Sequence, residues 1–144
     1  LMIAMPPRHG KSELISRFFP PWLLGRYPDR RIILTSYEAD FASSWGRKAR
    51  NVLEDCGPEV FGVRVVSDSR AANRWDIERH QGGMVTAGVG GPITGRGADV
   101  LIIDDPVKNA EEAESASLIW YDAWLVSVPP PKAAMKPEEP MVTW

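Results

Sequence analysis

The sequence predicts an α/β fold, a mostly parallel β-sheet sandwiched by helices, with a phosphate-binding loop at the carboxyl ends of the strands. Three observations point there. Short apolar runs alternate with segments of helical period along most of the chain. Gly10-Lys11-Ser12 lies between the first strand-like run and the first helix-like one. Four apolar residues, Val100 to Ile103, run straight into two acids, Asp104 and Asp105.

Taken in order, residues 1–5 (Leu-Met-Ile-Ala-Met) read as a buried strand, and 6–10 as a loop. A helix is expected from Lys11 to Phe19, with Leu14, Ile15, Phe18 and Phe19 on its apolar side. Pro20-Pro21 should break or kink it. Trp22 to Arg26 can add another turn, and Tyr27-Pro28-Asp29 is a turn. Residues 31–37, apolar and β-branched, fit a buried strand. A helix follows over 39–54, with Phe41, Trp45, Ala49, Val52 and Leu53 as its stripe, and Cys56-Gly57-Pro58 should end it. A brief strand is expected at 63–66. Residues 74–79 and 83–87 read as two strands of a hairpin joined near Gln81-Gly82. Residues 88–97 hold five glycines and a proline, which makes them a loop, and 99–104 form a strand. Asn109 with Glu112 makes a capping box that starts a helix running to about Val126. Five prolines in 129–140 predict an extended or disordered tail.

The division that results is one domain over residues 1–128 and an atypical proline-rich tail over 129–144. The chain is expected to be a piece of a longer protein, because it opens inside a strand pattern. A net charge of −2 does not advertise nucleic acid or a membrane surface. No apolar run approaches the roughly 18 residues of a membrane span, so no membrane association is expected. Cys56, the one cysteine, leaves no intrachain disulfide and points to a reducing compartment.

The loop from Met5 to Ser12 has the strand–loop–helix setting of a Walker A phosphate loop, as in a P-loop NTPase. Such a loop needs inward backbone N–H groups, a helix N-terminus, a lysine for the β- and γ-phosphates and a hydroxyl for magnesium. Lys11 and Ser12 are placed for the last two roles. Met5 stands where glycine is usual, and Pro6 and Pro7 remove two N–H donors. The cradle therefore rests on the later amides, from His9 through Gly10 to Ser12, with Pro7 and Arg8 leading in and Arg8 adding charge at the γ-phosphate side. A strand–turn–helix joint that merely contains Gly-Lys-Ser is the plainer alternative. His9 reads as a loop histidine without chemistry of its own.

Residues 100–105 have the form of a Walker B strand. The apolar run buries the strand, and the first acid emerges at its carboxyl end, where α/β sheets place ligands. Asp104 would hold magnesium, and Asp105 would orient or deprotonate the attacking water. A surface Asp-Asp-Pro turn is the alternative. Arg96 reads as a solvated arginine on a glycine-rich crossover in preference to an arginine finger. Arg47, Lys48 and Arg50 read as a solvated helix face in preference to a DNA-contacting patch. Trp75, Trp120 and Trp124 read as packing residues. Thr35 and Ser36 end a strand at the nucleotide edge but receive no role.

Four stretches together resemble the large terminase subunit of tailed bacteriophages and prophages: MPPRHGKSEL, LGRYPDRRIILTSYEAD, SDSRAANRW and, most specific, GVGGPITGRGADVLIIDDPVKNAEEAES. The resemblance spans about residues 1–120. It implies a P-loop ATPase of the additional-strand (ASCE) class, using ATP and Mg2+ to drive double-stranded viral DNA into a capsid. It implies catalytic roles for Asp105, Lys11 and Arg8, nucleotide contacts from Pro7 to Ser12, and magnesium at Ser12 and Asp104. It further implies a homo-oligomeric ring on a portal protein, a small terminase subunit as partner, and the cytoplasm of a bacterial host. The adenine-contacting region and the nuclease domain of such proteins have no counterpart here. The prolines of 129–140 stand where such proteins carry an apolar strand, and only Thr143-Trp144 matches its coupling motif. A helicase-like P-loop ATPase and an inactive prophage remnant are the competing readings.

Overall fold

The computed structural model describes residues 3–6, 8–68, 71–91 and 97–107. The expected helix over 109–126 and the proline-rich tail fall outside the described residues.

The strand expected at 1–5 is not found at residues 3–6, which carry no strand pairing. Ile3 and Met5 are exposed there. An apolar run becomes a strand only when a neighbour takes up its backbone groups.

Helical structure starts at Lys11, with Leu14 N–H donating to Gly10 O at 2.9 Å. It widens at once into a π-helical stretch, Glu13–Phe18, and continues as α1, Phe19–Arg26. Pro20-Pro21 does not break the chain's helical course. The two prolines occupy the first turn of α1, where a missing N–H costs least. The wide turn before them is closed by Phe19 N–H on Leu14 O, a five-residue step. Of the expected apolar stripe, Ile15 and Phe19 pack against the core, whereas Leu14 and Phe18 are exposed and Ser16 is fully buried.

Strand β1, Arg31–Ser36, is buried from Ile32 onward, as its β-branched run requires. Helix α2, Ala39–Val60, runs through Cys56-Gly57-Pro58 instead of ending there. Pro58 stands in the last turn, so few bonds remain to be lost. Phe61 N–H still closes on Gly57 O at 2.9 Å, and Val63 N–H returns to the same carbonyl at 3.3 Å. The expected strand at 63–66 reduces to a single bridge, Val65 to Ile77.

Strands β2 (Arg74–Asp76) and β3 (Gly83–Gly88) form the expected antiparallel hairpin, with Trp75 opposite Met84. Asp29 braces its connection, accepting from Gln81 N–H at 3.1 Å and meeting His80 Nδ1 at 3.1 Å. Strand β4 is Val100–Ile103. The sheet order is β2-β3-β1-β4. Central β1 runs parallel to β3 and to β4, while β2 is antiparallel, so the sheet is mixed.

Alternation along the strands puts Ile32, Leu34, Met84 and Ile102 on one face. Leu24 of α1 and Ala42, Trp45, Ala49 and Leu53 of α2 pack there, together with Trp75. Gly46 lets α2 approach β3: a Cβ at that position would lie 2.6 Å from Ala72 O and from Thr86 Cγ2. Trp75 fills the space alongside and donates its indole N–H to Gly46 O at 3.1 Å. The described helices cover this face, so a helix layer is described on one side of the sheet only. Among the described residues, no helix is long and apolar enough to cross a membrane.

Candidate functional site

Two parts of the chain about ninety residues apart converge at the carboxyl end of the sheet. β1 and β4 run parallel with Thr35 level with Ile103, so both strands end at the same edge. Asp104 N–H donates to Thr35 O at 2.9 Å, continuing the ladder one step beyond β4. Asp105 then turns into the left-handed region at φ +46, which costs a non-glycine residue energy unless its surroundings hold it. Here they do: its carbonyl accepts from Tyr37 N–H at 3.2 Å and, more distantly, from Ser36 Oγ at 3.4 Å. The turn separates the two acids, leaving Asp104 buried at 4% exposure and Asp105 open at 53%.

The glycine loop meets them from the other side. Arg8 and Gly10 have positive φ, +64 and +83. Gly10 tolerates its value at no steric cost, and the reversal it makes delivers Lys11 to the acids. Lys11 Nζ hydrogen-bonds the Asp105 carboxylate and lies 3.7 Å from Asp104 Oδ1. The hydrogen bond to Asp105 leads in raising the Lys11 pKa above its usual 10.5. Burial opposes it, and the two carboxylate charges add to it. Lys11 is therefore a cation at every physiological pH.

A cleft of about 460 Å3 opens beside this group, within the size range of small-molecule sites. Met5, Pro6, Arg8, Gly10, Lys11, Ser12, Glu13, Trp45 and Asp105 line it. The structure thus brings Arg8, Gly10, Lys11, Ser12 and Asp105 to one cleft, with Asp104 behind Lys11. His9 is exposed on the loop. Pro7 and Arg96 lie outside the described residues.

Hard-oxygen donors suit magnesium, which commonly takes one or two carboxylates and completes its shell with water and phosphate. The Ser12 hydroxyl and the Asp104 carboxylate are donors of that kind. Among the described residues no group of three or more acidic, histidine or cysteine side chains could hold a metal ion by itself; an ion bound through one carboxylate and phosphate oxygens does not need one.

Three residues at the site escaped the sequence reading. Ser16 donates to Asp104 Oδ2 at 2.7 Å, with both side chains buried. Its place in an apolar helix was the available signal, but the π-helical rotation that turns it inward was not legible. Glu13 lines the cleft and pairs with Arg17 at 2.8 Å. Trp45, expected only as packing, forms a wall of the cleft, and its indole N–H has no hydrogen-bond partner among the described residues. Two cations of the basic cluster on α2 are engaged within the chain, and Arg47 is exposed. Lys48 Nζ sits 3.8 Å from the centre of the Trp45 ring and 4.0 Å from Glu13, and Arg50 Nε lies 3.9 Å from Glu54.

Fold and site together define an α/β protein with a lysine–carboxylate cluster where a glycine loop meets the carboxyl end of a mixed sheet. Comparison with known families takes this further. The family model for the terminase large subunit, T4likevirus-type, N-terminal, matches residues 2–120, and the chain belongs to that family. No curated protein and no solved structure matches it.

Proposed function

We propose that this chain is the ATP-hydrolysing part of a phage or prophage terminase large subunit, and that it serves DNA packaging. The observation that carries the reading is the meeting of Lys11 with Asp104 and Asp105 beside a cleft that the Gly10 turn helps to line. Family membership supplies the setting.

In this reading the amides from His9 to Ser12 and the Lys11 ammonium bind the β- and γ-phosphates, and Arg8 adds charge at the γ side. Lys11 must leave Asp105 to do so, which frees that carboxylate for the attacking water. Asp105 then orients the water and takes its proton. Ser12 and Asp104 would hold Mg2+, which would neutralise charge on the phosphate oxygens. The bond that breaks joins the γ-phosphorus to the β–γ bridging oxygen, which leaves with ADP, while water supplies the new oxygen on phosphate. The additional-strand P-loop architecture belongs to this proposal. So do double-stranded DNA, a portal protein and a small terminase subunit as partners, a homo-oligomeric ring, and the bacterial cytoplasm as location.

Phosphate release from MgATP by the purified chain tests the reading. Lys11→Ala is expected to abolish nucleotide binding. Asp105→Asn is expected to keep binding and lose turnover by about 100-fold or more, the scale of a general base. Turnover equal to the parent's in both variants would overturn the assignment. Binding without any turnover in the parent would point to a non-hydrolysing remnant.

A further inference from the structure

Asp104 is held at two points. Its backbone N–H is tied to Thr35 O at 2.9 Å. Its carboxylate is divided: Oδ2 accepts from Ser16 Oγ at 2.7 Å, and Oδ1 faces Lys11 Nζ at 3.7 Å. Ser16 is 0% and Asp104 4% exposed, so water cannot replace the hydroxyl at low cost. A buried carboxylate needs such partners.

The helix is shaped to make this contact. Of the apolar stripe, Ile15 and Phe19 pack against the core, but Leu14 and Phe18 do not. The π-helical stretch leaves both at the surface, 57% and 47% exposed, and turns a serine to the acid instead. The helix thus keeps part of its apolar contact and gives one inward position to a hydroxyl, which a purely apolar face would not need. Insertions of this kind occur frequently at functional sites.

We propose that Ser16 is a positioning residue for the metal-holding carboxylate: by occupying Oδ2 it fixes the rotation of the Asp104 side chain and leaves Oδ1 as the oxygen offered to Mg2+. The inference rests on the nucleotide reading of the site and deepens it. Ser12 and Ser16 then have separate tasks on one helix, the first on the ion and the second on the ion's ligand. Outer partners of this kind set ligand orientation, and losing one typically costs 10–100-fold in metal affinity.

The test uses the whole chain with ADP and Mn2+, following loss of the free Mn2+ signal by electron paramagnetic resonance. Calorimetry of ADP without metal runs alongside. Ser16→Ala is expected to weaken Mn2+ binding about tenfold or more and to leave metal-free ADP affinity unchanged. Ser16→Thr, which keeps the hydroxyl, is expected to restore Mn2+ affinity. Ser16→Cys keeps the volume with a poor donor and is expected to behave like the alanine variant, which covers the case in which alanine fails to fold. Parent-like Mn2+ affinity in a folded Ser16→Ala or Ser16→Cys protein would overturn the positioning role. If the parent binds no ADP, or Lys11→Ala binds it as the parent does, the nucleotide reading falls and this inference falls with it. Intact Lys11 dependence with unchanged Ser16 variants sinks the inference alone.

Discussion

At the scale of single residues, geometry separates groups that look equivalent in sequence. Asp104 and Asp105 are neighbours, yet the left-handed turn at Asp105 buries one and opens the other. Asparagine tolerates that backbone region, so Asp105→Asn should change charge without unfolding the turn. Circular dichroism and thermal melting of the variant should therefore match the parent's. Asp99 supplies a pH prediction. It accepts from Arg31 N–H at 2.8 Å and from the Arg30 guanidinium at 2.5 Å. The backbone bond from Arg31 leads in holding its pKa below the usual 3.8, with Arg30 adding to the shift against a burial penalty. A depressed carboxylate pKa contributes stability above the unfolded value, and that stability is lost as pH falls through the folded one. Asp99→Asn should accordingly lower the urea midpoint at pH 7, and the gap to the parent should close below about pH 4. A gap that is unchanged at pH 3 would remove the ion pair from the account. The contribution is small, because Arg30 is half exposed.

At the scale of elements, α2 and the β2–β3 hairpin act as one block. Trp75 is 0% exposed and ties its ring N–H to α2. Trp75→Ala should cost about 3–5 kcal/mol, the range for removing a large buried aromatic, read from chemical denaturation. Gly46→Val should destabilise by a different route, since the added carbons meet Ala72 O and Thr86 Cγ2 at 2.6 Å. The pair should not be additive, because both changes disturb the same contact. Much at this scale was legible: β1, β3, β4 and the start of α2 fall within a residue or two of where periodicity puts them, while β2 stops at Asp76, three residues short of the expected end. Two expected strands, at 1–5 and 63–66, are missing or reduced to a bridge, and the two misplaced helix ends lie at prolines. Pro20-Pro21 and Pro58 read as breakers in isolation, but each sits in a first or last turn, where the missing N–H removes little.

At the scale of the whole molecule, a mixed sheet with β1 at its centre carries the site on its carboxyl edge. The net charge of −2 and the internal pairing of Lys48 and Arg50 reduce the positive charge that α2 offers to a partner. Double-stranded DNA binding by this chain alone is therefore expected to be weak. Between 50 and 200 mM salt its log–log slope should correspond to about two or three phosphates instead of the roughly ten of a dedicated DNA binder. Fluorescence polarisation on labelled duplex measures this, and a slope near that of a dedicated binder would overturn it.

The sequence by itself determined the chemistry on offer. It placed a lysine and a hydroxyl after a glycine turn, and two acids after an apolar strand, because both patterns depend on local backbone and burial periodicity. Its family-specific stretches also identified the terminase large-subunit family, which the family comparison bears out. Only the tertiary structure decided which groups meet. Lys11 reaches Asp105 because two parallel strands end level. Asp104 is sheltered because the next residue turns away, and Ser16 reaches it because the helix widens before two prolines. Those outcomes depend on contacts between residues far apart in the chain, and local periodicity carries no record of them.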